Sequence, residues 1–322
     1  MGLEPTSIFI SSLSILGLAF LVDRLVGDQS NRYHPTAWLG KIIAFLGSKL
    51  SGGGRVQETL AGVFLAVVVV LLFALPVYAG LRFFEEVAGA IVTVIAASII
   101  LKQTFAMKTM EKHLRPIISA LNSSDIEGAR RQVSLIVRRD TSSLNESQLI
   151  SATVESVAES TVDGTTSPLF FFGLLGVPGA AAYRAINTLD SMVGYRDQKN
   201  ASIGWFSAWL DTLANFLSAR LTAGLLIISA FILRENFRNA WVVMLRDARS
   251  TMSKNAGWPM AAMAGALRVK LEKPGYYTLG SWGNQLKTEH ITRAVKLMRL
   301  TTLLFIVVIV IPALATTSFL SA

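Results

Sequence analysis

The feature of this sequence that most restricts its fold is a series of long segments without a charged residue. Residues 59–81 and 301–322 contain 23 and 22 residues without Asp, Glu, Lys or Arg. A transmembrane helix needs about 20 mostly apolar residues, so both segments are long enough to cross a bilayer. Shorter uncharged segments lie at residues 5–22, 87–101, 164–183 and 221–233. The pattern predicts an all-α fold: a polytopic integral membrane helical bundle, organised as a single embedded domain over residues 1–322.

The composition supports this class and excludes others. Hydrophobic residues make up 52% of the chain and charged residues 16%, against roughly 25% charged in soluble domains. The chain has no cysteine, which excludes disulfides and thiolate metal sites. Its net charge of +9 is typical of the excess of basic residues in cytoplasmic loops. No nucleic-acid recognition motif accompanies that charge, so we expect no nucleic-acid partner.

The basic residues also predict the orientation. Of the 30 lysines and arginines, 25 lie in residues 23–58, 102–163 and 234–299, which we place in the cytoplasm. Residues 82–86 are then expected to form a tight hairpin between two spans. The prediction is a multi-pass protein of the cell membrane, with its active site facing the cytoplasm.

Two segments are expected to be broken or re-entrant. Residues 167–179 contain two prolines and three glycines, which interrupt a helix and are tolerated at membrane depth only where protein or a wet cavity covers the backbone. Residues 212–233 are interrupted by Arg220 and have only 13 uncharged residues beyond it, too few to cross unaided. Apolar spacing predicts amphipathic cytoplasmic-side helices at residues 117–136 and 147–162, and an interfacial helix at residues 36–50.

The first polar cluster follows the first apolar segment. Asp28, Arg32 and His34 place a carboxylate, a guanidinium and an imidazole within seven residues. Such groups suit phosphate binding and proton transfer. The alternative is an Arg–Asp pair that anchors the end of the helix at the membrane interface.

The second polar cluster is acidic. Glu155, Glu159 and Asp163 are spaced by four residues and so lie along roughly one face of a helix. The helix leads directly into the apolar segment at 164–183, and carboxylates there could hold Mg²⁺, which prefers oxygen ligands. The alternative is a solvated acidic face.

Two further clusters mix polar groups into apolar surroundings. Residues 183–196 bring Arg184, Asn187 and Asp190 to membrane level, where ionisable residues are functional candidates; the alternative is an Arg184–Asp190 pair inside the bundle. Residues 255–266 begin with Asn255-Ala-Gly-Trp258-Pro and continue with small residues. This pattern indicates a helix whose N-terminus could bind an anion, or simply close packing of that helix on a neighbour.

Taken together, these motifs resemble the CobD/CbiB family of adenosylcobinamide-phosphate synthases. The likeness covers about residues 15 to 310. It rests on Gly27-Asp28, His34-Pro35, Arg139-Asp140, Val154-Glu155-Ser156, Val162-Asp163-Gly164, Ser167-Pro-Leu-Phe170, residues 183–190 and 192–196, and residues 255–259 and 261–267. The chain departs from the family pattern at Gln29, Ser160, residues 251–254 and Met260, and the last two departures question an acid–base role for the fourth cluster.

The resemblance implies an ATP- and Mg²⁺-dependent ligase that joins adenosylcobyric acid to aminopropanol phosphate. Under this interpretation four carboxylates are candidates for Mg²⁺: Glu155, Glu159, Asp163 and Asp190. Three guanidinium groups are candidates for phosphates: Arg32, Arg184 and Arg196. His34 is the candidate base, with Asp28 orienting it or binding metal. The remaining candidates contact the corrinoid, through amide hydrogen bonds or ring packing: Asn187, Asn255, Tyr183, Tyr195 and Trp258.

Two other functions stay open at this point. Intramembrane charges and broken helices are equally typical of a transporter. A non-enzymatic membrane sensor related to the family is the second alternative, kept open by the altered residues 251–260. The bilayer is the one partner that composition predicts. The sequence leaves open whether the chain forms a homo-oligomer or assembles with other late cobalamin-pathway enzymes. It also leaves open whether the amine is ethanolamine phosphate.

Overall fold

The computed structural model describes residues 4–27, 34–50, 52–194, 202–281 and 285–320. Twelve helices and two strands follow each other along these residues: α1 (Pro5–Leu25), α2 (Pro35–Leu50), α3 (Arg55–Lys102), α4 (Met107–Asn122), α5 (Ile126–Val133), α6 (Glu146–Thr161), α7 (Ser167–Val193), α8 (Trp205–Ile232), α9 (Phe237–Asp247), α10 (Gly257–Leu267), β1 (Leu271–Lys273), β2 (Tyr277–Leu279), α11 (Thr288–Phe305) and α12 (Ile311–Leu320). The all-α class is confirmed. Four predicted site residues, Asp28, Arg32, Tyr195 and Arg196, lie outside the described residues, and their roles stay predictions.

Five helical stretches are long and apolar enough to cross a membrane, judged by length and composition. They are Pro5–Leu25, Arg55–Asn122, Glu146–Val193, Trp205–Ile232 and Thr288–Leu320. Large apolar side chains such as Leu72 and Ile91 of α3 are exposed. Exposed apolar faces of this size are typical of lipid contact, so the prediction of a multi-pass membrane protein agrees with the fold.

The chain divides into two compact units. The first contains Met1–Ala106, Ser167–Ala214 and Val308–Ala322. Within it α3 packs on α1 and α7, and α2 packs on α3 and α7. Leu39 and Ile43 of α2 meet Leu65 and Val69 of α3 in its core, together with Leu189 of α7. The predicted interfacial helix at residues 36–50 is therefore present as α2.

The second unit contains Met107–Thr166 and Asn215–Val307. In it α6 packs on α11, α10 packs on α9, and the β1–β2 hairpin lies against α6. The two strands are antiparallel, with Leu271 opposite Leu279. The organisation as a single domain stays a prediction.

Both long broken helices are interrupted at a glycine. In α3 the interruption is at Gly89, with φ 78° and ψ 176°, and in α7 it is at Gly176, with φ 65° and ψ −162°. These dihedrals are essentially restricted to glycine. The broken segment predicted at residues 167–179 is thus present, but the hairpin predicted at residues 82–86 is wrong: those residues are helical, and the ion pair between Arg82 and Glu85 at 3.0 Å supports that helix.

Two other expectations about helices are wrong. Residues 212–233 are not broken, because α8 begins earlier, at Trp205, and continues through Arg220 to Ile232. The single helix expected at residues 117–136 is divided into α4 and α5. The division follows from Ser124, which has a positive φ of 58°, and from the Asp125 carboxylate, which accepts a hydrogen bond from the Gly128 N–H at 2.8 Å and begins a new helix.

Candidate functional site

Glu155 lies at the centre of a buried polar network in the second unit. Its side chain has 4% exposure. One carboxylate oxygen accepts hydrogen bonds from Arg139 at 2.8 Å and from the Tyr277 hydroxyl at 2.7 Å. The other accepts a hydrogen bond from Ser151 at 2.7 Å. A buried carboxylate needs such partners, and here they come from the loop before α6, from α6 itself and from β2.

The same network holds the β-hairpin on α6. The Arg139 guanidinium also donates to the carbonyl oxygen of Glu272 at 3.0 Å, and the Glu272 N–H donates to Ser151 at 2.8 Å. Burial, and then the charge of Glu155, raise the pKa of the Tyr277 phenol well above its ordinary value. The phenol therefore keeps its proton at neutral pH and remains a donor to Glu155. The sequence pattern did not predict this role for Tyr277.

The other two acidic residues are more accessible than Glu155. Glu159 is exposed and Asp163 is half-buried. A π-helical turn at Val162–Thr166 follows α6 and adds a residue to the turn, so Asp163 is displaced from the straight stripe predicted for the three carboxylates. Among the described residues no three His, Cys, Asp or Glu side chains form a group that could hold a metal ion.

A second polar cluster lies in the first unit, on α7 and α8. Arg184 donates to the Asn187 side-chain oxygen at 3.4 Å, and the Asn187 amide donates to Asp211 at 3.4 Å. Asp211, a carboxylate inside a candidate span, was not predicted from the sequence. Its position at membrane level is the signal that could have identified it.

Asp190 and Tyr183, both on α7, have different surroundings. Asp190 is half-buried and lies beside Gly194, where an added Cβ would come within 2.1 Å of the Asp190 carboxylate. Tyr183 has 0% exposure, and its ring stacks on Phe171 with 5.3 Å between centroids. The ring is therefore enclosed in the core, and its predicted contact with the corrinoid stays a prediction.

His34 lies at the start of α2 and is half-buried. Its Nδ1 accepts a hydrogen bond from the Thr36 N–H at 3.2 Å. In the neutral ring the proton then lies on Nε2. As a base, His34 would take a proton through Nδ1 after releasing the Thr36 N–H, and that role stays a prediction.

The fourth motif lies in the second unit at the start of α10. Asn255 has 5% exposure and its side-chain oxygen accepts a hydrogen bond from Arg220 at 3.1 Å. The Arg220 guanidinium lies 4.8 Å from the centre of the Trp258 ring. In the sequence Arg220 only interrupts an apolar segment, whereas the structure brings it to both Asn255 and Trp258.

Close packing determines the rest of this motif. An added Cβ at Gly257 would lie 2.1 Å from the Ala248 carbonyl oxygen, and one at Gly265 would lie 2.6 Å from the Asn239 carbonyl oxygen. Met260, at the position where the family often has glutamate, is buried at 3% exposure. The small residues of α10 therefore pack against α9, as one of the two interpretations of the motif predicts.

Comparison with known proteins agrees with these motifs. The model of the CobD/Cbib protein family matches residues 16–298. The chain is 40% identical over 296 residues to a probable cobalamin biosynthesis protein CobD of Methanothermobacter thermautotrophicus, covering 92% of this chain and 96% of the relative. It is 42% identical over 268 residues to the cobalamin biosynthesis protein CobD of Dehalococcoides mccartyi, covering 83% and 86%. No solved structure matches the chain.

Proposed function

We propose that this chain, which belongs to the CobD/Cbib protein family, is the ligase that uses ATP to join adenosylcobyric acid to aminopropanol phosphate. The observation that carries the proposal is the family match over residues 16–298. Relatives that share nearly the full length are named cobalamin biosynthesis proteins. The choice of this reaction within cobalamin biosynthesis rests on the motif resemblance and on the chemistry of the residues.

The reaction needs an activated carboxylate. A carboxylate oxygen of adenosylcobyric acid attacks the γ-phosphorus of ATP, the bond to the β-phosphate oxygen breaks, and ADP leaves. Phosphoryl transfer of this kind depends mainly on positioning and on charge stabilisation. Arg184, half-buried and hydrogen-bonded to Asn187, is suited to hold phosphate oxygens, with Arg32 and Arg196 as further candidates.

The described carboxylates fit Mg²⁺ to different degrees. Mg²⁺ is commonly bound by one or two carboxylates and keeps waters and substrate phosphates as its other ligands. Both oxygens of Glu155 already accept hydrogen bonds from protein groups, so Glu155 better fits a positioning role. We propose that one or two of the remaining candidates, Glu159, Asp163 and Asp190, bind the ion, which would neutralise phosphate charge.

The second step forms the amide. The amine of aminopropanol phosphate attacks the acyl carbon, the bond to the phosphate oxygen breaks, and inorganic phosphate leaves. The amine loses a proton to a base, for which we propose His34, with Asp28 as its partner. Asn187, Asn255 and Trp258 are proposed to contact the corrinoid, whose periphery carries many amides.

The decisive experiment is a complete reaction in detergent. Purified protein is incubated with adenosylcobyric acid, aminopropanol phosphate and MgATP, and the corrinoid amide is detected by mass spectrometry. Parallel reactions omit ATP, omit the amine, or replace the amine with ethanolamine phosphate. We expect product only when ATP and an amine are both present, together with one ADP for each amide formed.

Two results would contradict the proposal. Corrinoid binding without product or ADP release would favour a sensor. Uptake of corrinoid into proteoliposomes in the absence of amide formation would favour a transporter.

A further inference from the structure

Arg220 has an unusual environment for a charge in an apolar helix. It lies in α8, one of the stretches that could span a membrane, and it is half-buried. Its guanidinium donates to the Phe216 carbonyl oxygen at 2.6 Å and to Asn255 at 3.1 Å. The rings of Phe216 and Trp258 lie 3.6 and 4.8 Å from its central carbon. These contacts fix the direction of the guanidinium but supply no carboxylate for its charge.

Arg249 adds a second positive charge at the same place. It follows α9 directly after Ala248, whose carbonyl oxygen meets the backbone of Gly257 in the fourth motif. Gly257 lies between the two residues of that motif that contact Arg220, and the two charges are close enough to repel each other. In the part of the chain that the structure describes, neither guanidinium forms an ion pair with a carboxylate.

We propose that Arg220 and Arg249 form an oxyanion subsite that binds the phosphate of a phosphate ester. Two like charges held together without a counter-ion are unfavourable, and a charged group in a candidate span is a functional candidate by default. A phosphate would compensate both charges, and the planar guanidinium fork matches its oxygens. The aromatic contacts of Arg220 keep that fork oriented before the ligand arrives.

The identity of the ester rests on the proposed function, which supplies two phosphate esters: ATP and the phosphorylated amine. Both present the same chemistry to the subsite. Arg249 is exposed and forms no hydrogen bond with the described residues, so replacing it leaves the packing intact. Its substitution therefore tests binding rather than folding.

The experiment measures binding without turnover. The full chain is purified in detergent as wild type, Arg249→Gln and Arg238→Gln, and each form is titrated separately with MgATP and with aminopropanol phosphate by calorimetry. Arg238→Gln removes the same charge from the first turn of α9, at the opposite end of that helix from Arg249. We expect Arg249→Gln to weaken binding of one of the two ligands by about tenfold or more, as loss of a charge-assisted hydrogen bond predicts, and Arg238→Gln to leave both affinities unchanged.

A second variant tests the geometry of the fork. Arg220→Lys keeps the charge but loses the planar fork. We expect it to weaken binding of the same ligand whose binding Arg249→Gln weakens. The ligand that loses affinity in both variants is the one whose phosphate binds at the subsite. Equal affinities of wild type and Arg249→Gln for both ligands would overturn the subsite, as would a wild type that binds neither.

The proposal and the ligase activity can fail separately. Amide formation by Arg249→Gln with the wild-type KM for both phosphate esters would remove the subsite and leave the ligase intact. Phosphate binding that depends on Arg249 in a protein that forms no amide would retain the subsite and remove the ligase.

Discussion

Two glutamates one helical turn apart on α6 have different surroundings. Glu155 is buried and accepts hydrogen bonds from Arg139, Tyr277 and Ser151. Glu159 is exposed on the same helix, and its charge contributes to the raised pKa of Tyr277. A buried ion pair is expensive to break because one charge is then left unpaired. We therefore propose that Glu155 holds the β-hairpin in place and that Glu159 binds the metal ion.

Replacing Glu159 tests this division. We expect Glu159→Gln to keep the melting temperature of the wild type but to lower amide formation by about 100-fold, the upper end of losses caused by altered metal surroundings. The rate should recover partly at high Mg²⁺ concentration. ADP release measured against Mg²⁺ concentration checks both effects.

The matched control is Glu146→Gln. Glu146 is an exposed glutamate in the first turn of the same helix, so this variant removes the same charge without touching the cluster. Equal rates for Glu159→Gln and wild type would remove Glu159 from the metal site.

The Asp247 carboxylate makes the stability of the fold depend on pH. Burial acts to raise its pKa, but hydrogen bonds from Arg246 and from the Gly280 N–H outweigh burial and hold the pKa below its ordinary value. A lowered folded-state pKa means that the ionised carboxylate stabilises the fold above the unfolded pKa of about 3.9. That contribution is lost as the pH falls through the folded-state pKa.

We expect Asp247→Asn to be less stable at pH 7 by about 1–3 kcal/mol, and to lose less further stability between pH 5 and pH 3 than the wild type does. Thermal unfolding in detergent at these pH values measures both. Glu146→Gln serves again as the control for removal of one carboxylate, and a wild type and Asp247→Asn with parallel pH profiles would contradict the argument.

At the scale of the helices, single glycines decide where the long apolar segments break. Gly89 adopts φ 78° and ψ 176°, a conformation that strains any other residue by about 1–3 kcal/mol. We expect Gly89→Ala to be destabilised by about that amount. Gly80 lies in the same helix, and a Cβ added there would meet no atom within 4 Å, so Gly80→Ala should be neutral or slightly stabilising. Unfolding of the two variants in detergent compares them directly, and equal stability would show that α3 tolerates a straight path.

At the scale of the whole molecule, the predicted topology can be tested because the chain has no cysteine. Ser253 lies in a basic segment that we place in the cytoplasm, and we predict that Ser191 lies on the same side. We expect Ser191→Cys and Ser253→Cys to react with an impermeant maleimide only in inverted vesicles. Labelling of Ser191→Cys and Ser253→Cys from opposite faces would exclude a single cytoplasmic site.

The sequence by itself determined the class of the protein, its family and the approximate positions of α2 and α6. Long uncharged segments predict membrane spans because hydropathy is a local property, and the side-chain cap of Asn145 at α6 is equally local. The motifs that carry the family likeness are contiguous strings, so they too can be read without a fold. The break in α3 at Gly89 was not predicted, because the charged residues between two apolar segments were interpreted as a hairpin at residues 82–86.

The tertiary structure alone decided which polar residues meet. Tyr277 and Glu155 are separated by 122 residues, Arg220 and Asn255 by 35, and Asn187 and Asp211 by 24. A pattern within one segment predicts neither the hydrogen-bond partners of these side chains nor their burial, because both depend on how the helices pack. That is why Glu155 and Glu159, which are indistinguishable by spacing and residue type, have different roles assigned to them here.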